Sequence, residues 1–180
     1  MQVNDVYEIA PVSGGKHGGM ARVAAVKKEL QRSNPNVFLA MAGDFLSPSV
    51  YNSLQHEGKR IRGRQMIDAM NAAGFDLAVF GNHEFDITEE ELQSRLNESS
   101  FKWIASNAFH KSGDSVNAFK RFRNGRVEEL PVTLMMTVSD ADGTRAKIGL
   151  ISATITSNNA GYVKYADPVE TAVYLYNQIK

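Results

Sequence analysis

The run Gly81-Asn82-His83-Glu84-Phe85-Asp86 places an amide, an imidazole and carboxylates at spacings that permit both metal binding and acid–base chemistry. An Asn side-chain oxygen can ligate a cation, and the imidazole beside it can act as an acid. Asp86 lies close enough in a tight turn to hold one ring nitrogen of His83 and fix its tautomer. The competing reading is a capping loop in which Asn82 turns the chain and His83 bonds to backbone. Asp5 and Asp44, upstream, weigh against it. Two carboxylates brought to one sheet edge repel unless a cation lies between them. The chain has no cysteine, so oxygen and imidazole are the only strong ligands on offer. A carboxylate that bridges two cations is the economical arrangement, and Asp44 comes from the middle of the three segments. Two cations about 3.5–4 Å apart can clamp a phosphoryl group and activate water for in-line attack. His83 would then stabilise charge on the phosphoryl oxygens or protonate the leaving group.

Those residues need strands to deliver them. Gln2 to Val6 reads as a short strand running into Asp5-Val6-Tyr7-Glu8, and the Gly-rich loop after it lacks the spacing of a phosphate-binding P-loop. Met20 to Arg32 suits a helix, with Met20, Val23, Ala24, Val26 and Leu30 facing inward and Lys27 off that face. Val37 to Ala42 is a continuous apolar run, as expected of a strand covered on both faces, and it ends at Gly43-Asp44. A second helix over Arg64 to Ala73 leads to the strand Leu77 to Phe80, which ends at Gly81-Asn82. Thr88 with Glu91 forms a capping box for a third helix, with Leu92 and Leu96 inward, and Trp103 to Ser106 is a fourth strand ending at Asn107. Strand–helix–strand repetition of this kind predicts a largely parallel sheet whose C-terminal edge gathers the polar residues.

Beyond Asn107 the pattern changes. Gly113 to Arg126 is polar and is expected to form an irregular surface excursion. Leu130 to Val138 and Ala146 to Ser152 alternate as a hairpin across Asp140-Ala141-Asp142-Gly143, which suggests a second, mixed sheet. Asp167 and Pro168 open a last helix with Val169, Ala172, Val173 and Tyr176 on one face, and packing is expected to explain Tyr162, Tyr165, Tyr174 and Tyr176.

Bulk properties narrow the function classes. With 180 residues, 43% hydrophobic and 22% charged, the chain can bury one sizeable core. Its 20 basic and 20 acidic side chains cancel, which argues against a general nucleic-acid or membrane-surface binder. Arg60, Arg62 and Arg64 read as a solvated loop, and Arg121, Arg123 and Arg126 with Phe119 and Phe122 do not overturn the neutral balance. No run approaches the roughly 18 apolar residues of a membrane-spanning helix, and no signal peptide is visible. The abrupt start in a strand and the end at Lys180 straight after a helical pattern lead us to expect a piece of a longer protein. The compartment is therefore left open between cytoplasm and periplasm or exterior.

Taken together, Asp5-Val6-Tyr7-Glu8, Gly43-Asp44-Phe45-Leu46-Ser47-Pro48-Ser49 and Gly81-Asn82-His83-Glu84-Phe85-Asp86 resemble the calcineurin-like metallophosphoesterases, and within them the 5′-nucleotidase branch. Gly18-Gly19-Met20-Ala21-Arg22, Met70-Asn71-Ala72-Ala73-Gly74 and Ser106-Asn107 extend the match in order along nearly the whole chain. The resemblance implies an α/β fold, the N-terminal part of a four-layered α/β/β/α sandwich with a dinuclear centre. Its two divalent ions would be drawn from Mn, Zn, Fe, Mg or Ca. It implies Asp5 as a ligand of the first metal, Asp44 as the bridge, Asn82 as a ligand of the second, His83 as the group on the phosphate and Asp86 as its orienting partner. Asn107 enters as a lesser candidate for lining the substrate site, and Ser49 as a residue that shapes its turn. The implied substrate is a nucleotide phosphomonoester, with 2′,3′-cyclic nucleotides or nucleoside-diphosphate sugars as alternatives. A non-catalytic module that keeps the fold is the rival from another class.

Two departures stand out. The first motif of the family is usually Asp-x-His, and here its third position is Tyr7. A phenolate can ligate ferric iron, so Tyr7 is either a ligand or a packed tyrosine. The family also draws histidine ligands and a nucleoside-gripping domain from later segments. None of His17, His56 and His110 matches those motifs, so the 180 residues by themselves are expected to be weakly active or inactive.

Overall fold

Short apolar runs punctuated by Gly and Asp become strands, and the amphipathic stretches between them become helices. The computed structural model, which describes residues 1–180, runs β1 (Gln2–Val3), α1 (Met20–Ser33), β2 (Ala40–Ala42), β3 (Gln55–His56), β4 (Lys59–Arg60), α2 (Arg64–Ala73), β5 (Leu77–Val79), α3 (Glu89–Glu98) and β6 (Lys102–Ile104). It continues through β7 (Ala108–Ser112), β8 (Ser115–Asn117), β9 (Lys120–Arg123), β10 (Arg126–Glu129), β11 (Thr133–Ser139), β12 (Arg145–Ile151) and β13 (Val163–Tyr165) to α4 (Pro168–Ile179). Single 3-10 turns occupy Val50–Ser53 and His83–Asp86.

The parallel sheet has the order β1-β2-β5-β6. Its register sorts the side chains into two rows, because successive residues of a strand point to opposite faces. Val3, Met41, Ala78 and Trp103 stand in one row. Met41, Ala78 and Trp103 join the core with Met20, Met66, Ile67, Met70, Leu92 and Leu96 from α1, α2 and α3. Gln2, Ala40, Leu77 and Lys102 form the other row. Ala40 and Leu77 face Leu134, Ile148 and Leu150 of the β11–β12 hairpin across a cavity of about 440 Å³. On the hairpin's far side α4 covers β12, with Ile179 against Gly149. Helices, parallel sheet, hairpin and helix thus follow one another in layers, an α/β architecture.

Several elements depart from expectation. β1 and β2 are shorter than the apolar runs that suggested them. α1 is rotated so that Lys27 is buried and Val26 and Leu30 are exposed. The Lys27 ammonium reaches the Gly74 carbonyl at 2.5 Å and the Asp76 carboxylate at 2.6 Å, so a buried charge is satisfied where an apolar residue was expected. The region Gly113 to Arg126 is not irregular. β7 pairs with β8, and β9 pairs with β10 around Asn124-Gly125, both of which have positive φ (51° and 73°). Asn-Gly is the favoured centre of a two-residue hairpin, and Arg121–Glu128 (2.6 Å) and Lys120–Glu129 (3.2 Å) pair across it. The β11–β12 hairpin forms as expected, as its own antiparallel pair. In α4 the inward face is Ala172, Leu175 and Ile179, while Val169, Val173, Tyr174 and Tyr176 are exposed. Packing therefore accounts for Tyr162 and Tyr165, which lie against the core, and not for Tyr174 and Tyr176. No helix is long and apolar enough to cross a membrane.

Candidate active site

The C-terminal ends of β1, β2 and β5 meet at one edge, and backbone contacts hold their loops together. The Asp5 amide donates to the Gly43 carbonyl at 3.2 Å. Gly43 has φ 86°, and a Cβ there would stand 2.5 Å from the Gly81 nitrogen, so only glycine lets the second loop lie against the third. A Cβ on Gly81 would in turn strike the Asp44 carboxylate. Asp5 (φ 53°) and Asp44 (φ 59°) both occupy the left-handed region, which Asp tolerates better than most residues. Unusual backbone at two neighbouring carboxylates is what a functional edge shows when the surrounding bonds dictate it.

Around Asp44 those bonds come from Glu84, a residue to which the sequence assigns no role. Its side chain is fully buried. One carboxylate oxygen accepts the amides of Asp44 (2.7 Å) and Gly81 (2.6 Å), and the other accepts those of Phe45 (2.8 Å) and Leu46 (3.1 Å). Burial pushes its pKa up, and the four N–H donors pull against that shift. An acidic residue following Asn-His gave no signal of this role, because three of its four partners are backbone groups about 40 positions away.

The Asp44 carboxylate accepts the His83 amide at 2.9 Å, which links the second loop directly to the imidazole-bearing turn. His83 Nδ1 lies 2.7 Å from Asp86 Oδ2, and both side chains remain open to solvent. The hydrogen bond to Asp86 raises the His83 pKa, and partial burial opposes this. With Nδ1 engaged, Nε2 is the ring atom free to meet a ligand. Asn158 donates to the other oxygen of Asp86 at 2.8 Å and to the Asn82 carbonyl at 3.0 Å, and it was absent from the expected set.

Tyr7 lies inside this group, with its ring edge-on to His83 at 6.2 Å. Its hydroxyl donates to Asp5 at 3.1 Å, and Asn4 donates to the other Asp5 oxygen. Burial and then the bond to Asp5 push the phenol up to about 12. Ser49 caps its 3-10 turn, as expected of a turn-shaping residue, and its hydroxyl and the Val50 amide both reach Glu8. Asn107 does not line an open surface. It is fully buried, its oxygen accepts the Thr154 amide (2.8 Å), and its NH₂ donates to the carbonyls of Thr154 (2.8 Å) and Ala166 (3.2 Å). Its side-chain polar atoms are thus all engaged within the protein. His17 and His56 are exposed, and His110 pairs with Glu89 at 2.6 Å, away from the edge.

The donor set suits a hard or borderline cation in part. The second oxygen of Asp44 and the side-chain amide of Asn82 take no protein hydrogen bond, which leaves both available as ligands. No group of three His, Cys, Asp or Glu side chains converges as in a closed metal site. What these loops offer is two carboxylates and an amide.

Comparison with known proteins adds an independent line. The family model for calcineurin-like phosphoesterases matches residues 1–170. The snake venom 5′-nucleotidase of Gloydius brevicauda is 28% identical over 160 residues, 86% of this chain and 24% of its own length. The NAD 5′-nucleotidase of Haemophilus influenzae is 27% identical over 168 residues, 91% of this chain and again 24% of its own. The chain therefore spans about a quarter of the length of these curated relatives. Among solved structures, Haemophilus influenzae NAD nucleotidase superposes with a TM-score of 0.74 at 22% identity, covering 99% of this chain and 34% of that one. A calcineurin-like phosphoesterase from Bacillus subtilis gives 0.67 at 20% identity, covering 99% and 56%.

Proposed function

This chain belongs to the calcineurin-like phosphoesterase family, and from that membership we propose that it carries the first part of the active site of a 5′-nucleotidase-type hydrolase acting on nucleotide phosphomonoesters. The observation that carries the reading is the junction of three strand ends at which Asp44 accepts the His83 amide while Asp86 holds the His83 ring. The naming of several relatives as 5′-nucleotidases supports the substrate class.

The family generally uses divalent metal ions. In our reading Asp5, Asp44 and Asn82 would hold them. Bound there, such ions would polarise phosphoryl oxygens and lower the pKa of water. Asp86 keeps the Nδ1 proton of His83 in place, and the raised pKa favours an imidazolium whose Nε2 proton can pass to the departing ester oxygen. Glu84 keeps the Asp44 and Gly81 loops at fixed separation, so that the donors need not reorganise during the reaction. Tyr7 acts as a neutral donor that orients Asp5 and not as a ligand, since its hydroxyl already donates to that carboxylate.

The test is hydrolysis of a nucleoside 5′-monophosphate with Mn²⁺ or Zn²⁺ by the wild-type protein and by Asp44→Asn. The substitution keeps shape and removes charge, and kcat should fall about a hundredfold or more. Undiminished turnover in Asp44→Asn, or Mn²⁺ binding as tight in that variant as in wild type, overturns the reading.

A further inference from the structure

We propose that Asn158 is a positioning residue for His83, acting through Asp86. It comes from the loop that follows β12, more than 70 positions along the chain from the turn it meets. Its orientation is fixed by chemistry. Asn158 Oδ1 accepts the Ala160 amide at 2.9 Å, so the NH₂ end faces the Asp86 carboxylate and the Asn82 carbonyl, both of which can only accept.

A carboxylate held at one oxygen alone can swing about its terminal torsion, which is broad for Asp. Asp86 is held at both oxygens, Oδ2 by His83 at 2.7 Å and Oδ1 by Asn158 at 2.8 Å. The second bond sets the plane of the carboxylate and therefore the direction in which it presents a lone pair to the imidazole. The same NH₂ group holds the peptide that joins Asn82 to His83 through the Asn82 carbonyl. One amide thus constrains the ring from both ends, by its base and by its partner.

Other groups already dock this loop. The Tyr162 hydroxyl donates to the Ile87 carbonyl at 2.8 Å, and the rings of Tyr162 and Tyr165 pack edge-on to Phe85. Loss of the Asn158 amide therefore leaves the loop in place and frees Asp86, which separates positioning from anchoring.

The consequence for turnover rests on the hydrolase reading above; the orientation of His83 does not. The experiment follows the His83 Nδ1 proton by NMR in the metal-free protein, with nucleotide turnover measured in parallel. Asn158→Ala should speed solvent exchange of that proton about tenfold and lower kcat by a similar factor at unchanged KM, with little change in Tm. Asn158→Asp should do at least as much, because it sets a second carboxylate against Asp86. Tyr162→Phe, which removes only the docking bond, should leave the proton as in wild type. An unaltered proton in Asn158→Ala, or an equal response in Tyr162→Phe, overturns the proposal. A His83 proton that responds to residue 158 in a protein whose Mn²⁺ binding ignores Asp44→Asn sinks the hydrolase reading and keeps this one. An active protein indifferent to residue 158 does the reverse.

Discussion

Asp5 and Asp44 are constrained twice, by charge and by backbone. Each sits at positive φ, where a β-branched or longer side chain is strained, while Asp, Asn and Gly are accommodated. Glutamate would keep the charge at position 44 and lose the local fit, so Asn is the substitution that isolates charge there. Glu84 is constrained differently, by four backbone amides that have no other partner. Glu84→Gln turns one oxygen into an NH₂ group facing two N–H donors. The expected cost is about 3–5 kcal/mol, read as a fall in the urea midpoint at unchanged slope. Most of that cost comes from buried donors left unpaired and not from a lost attraction. A change under about 1 kcal/mol would show that the four bonds are not what holds the loops.

At the scale of elements, the parts near the site were legible in the sequence because chemistry and pattern coincide there. Helix α2 has the expected bounds, and the α3 capping box forms with both Thr88 and Glu91 in place. Asp167 caps α4 through the amides of Val169 and Glu170. The failures have physical causes. The apolar stripe on α1 counted Lys27 as a surface residue because nothing local reveals its partners at Gly74 and Asp76. The β9–β10 hairpin was hidden by side chains charged on both strands, although Asn124-Gly125 announced its turn. The burial of Asn107 was equally hidden from the sequence, which shows only that it ends a strand at the right edge. Its partners, Thr154 and Ala166, lie some 47 and 59 positions further on. In α4, two apolar faces compete, and the one with Leu175 and Ile179 is inside. Leu175→Ala should cost about 2–4 kcal/mol, whereas Val173→Lys should stay within about 0.5 kcal/mol of wild type. Thermal unfolding of the two variants compares the faces directly.

Over the whole molecule, the parallel sheet and its three helices hold most of the core, while β3–β4, β9–β10 and β11–β12 are two-stranded pairs. Hydrogen exchange should therefore be slowest in β2 and β5, which are paired on both sides, and distinctly faster in β11 and β12. Equal protection in the hairpin and the central strands would mean that the layers open as one unit. Most of the hydrogen bonds between the two layers gather at one end, while at the other the Asn36 side-chain amide donates to the Ser139 carbonyl at 2.8 Å. Ser106 bonds to Ser152, Asn107 to Thr154, and the Thr154 hydroxyl to the Phe80 carbonyl, all beside the edge that bears Asp44 and His83. At the opposite ends of the strands, Ala40 and Leu77 meet the hairpin across open space. Rocking of one layer on the other is then checked most firmly beside Asp44 and His83, whose spacing holds while the rest of the molecule breathes.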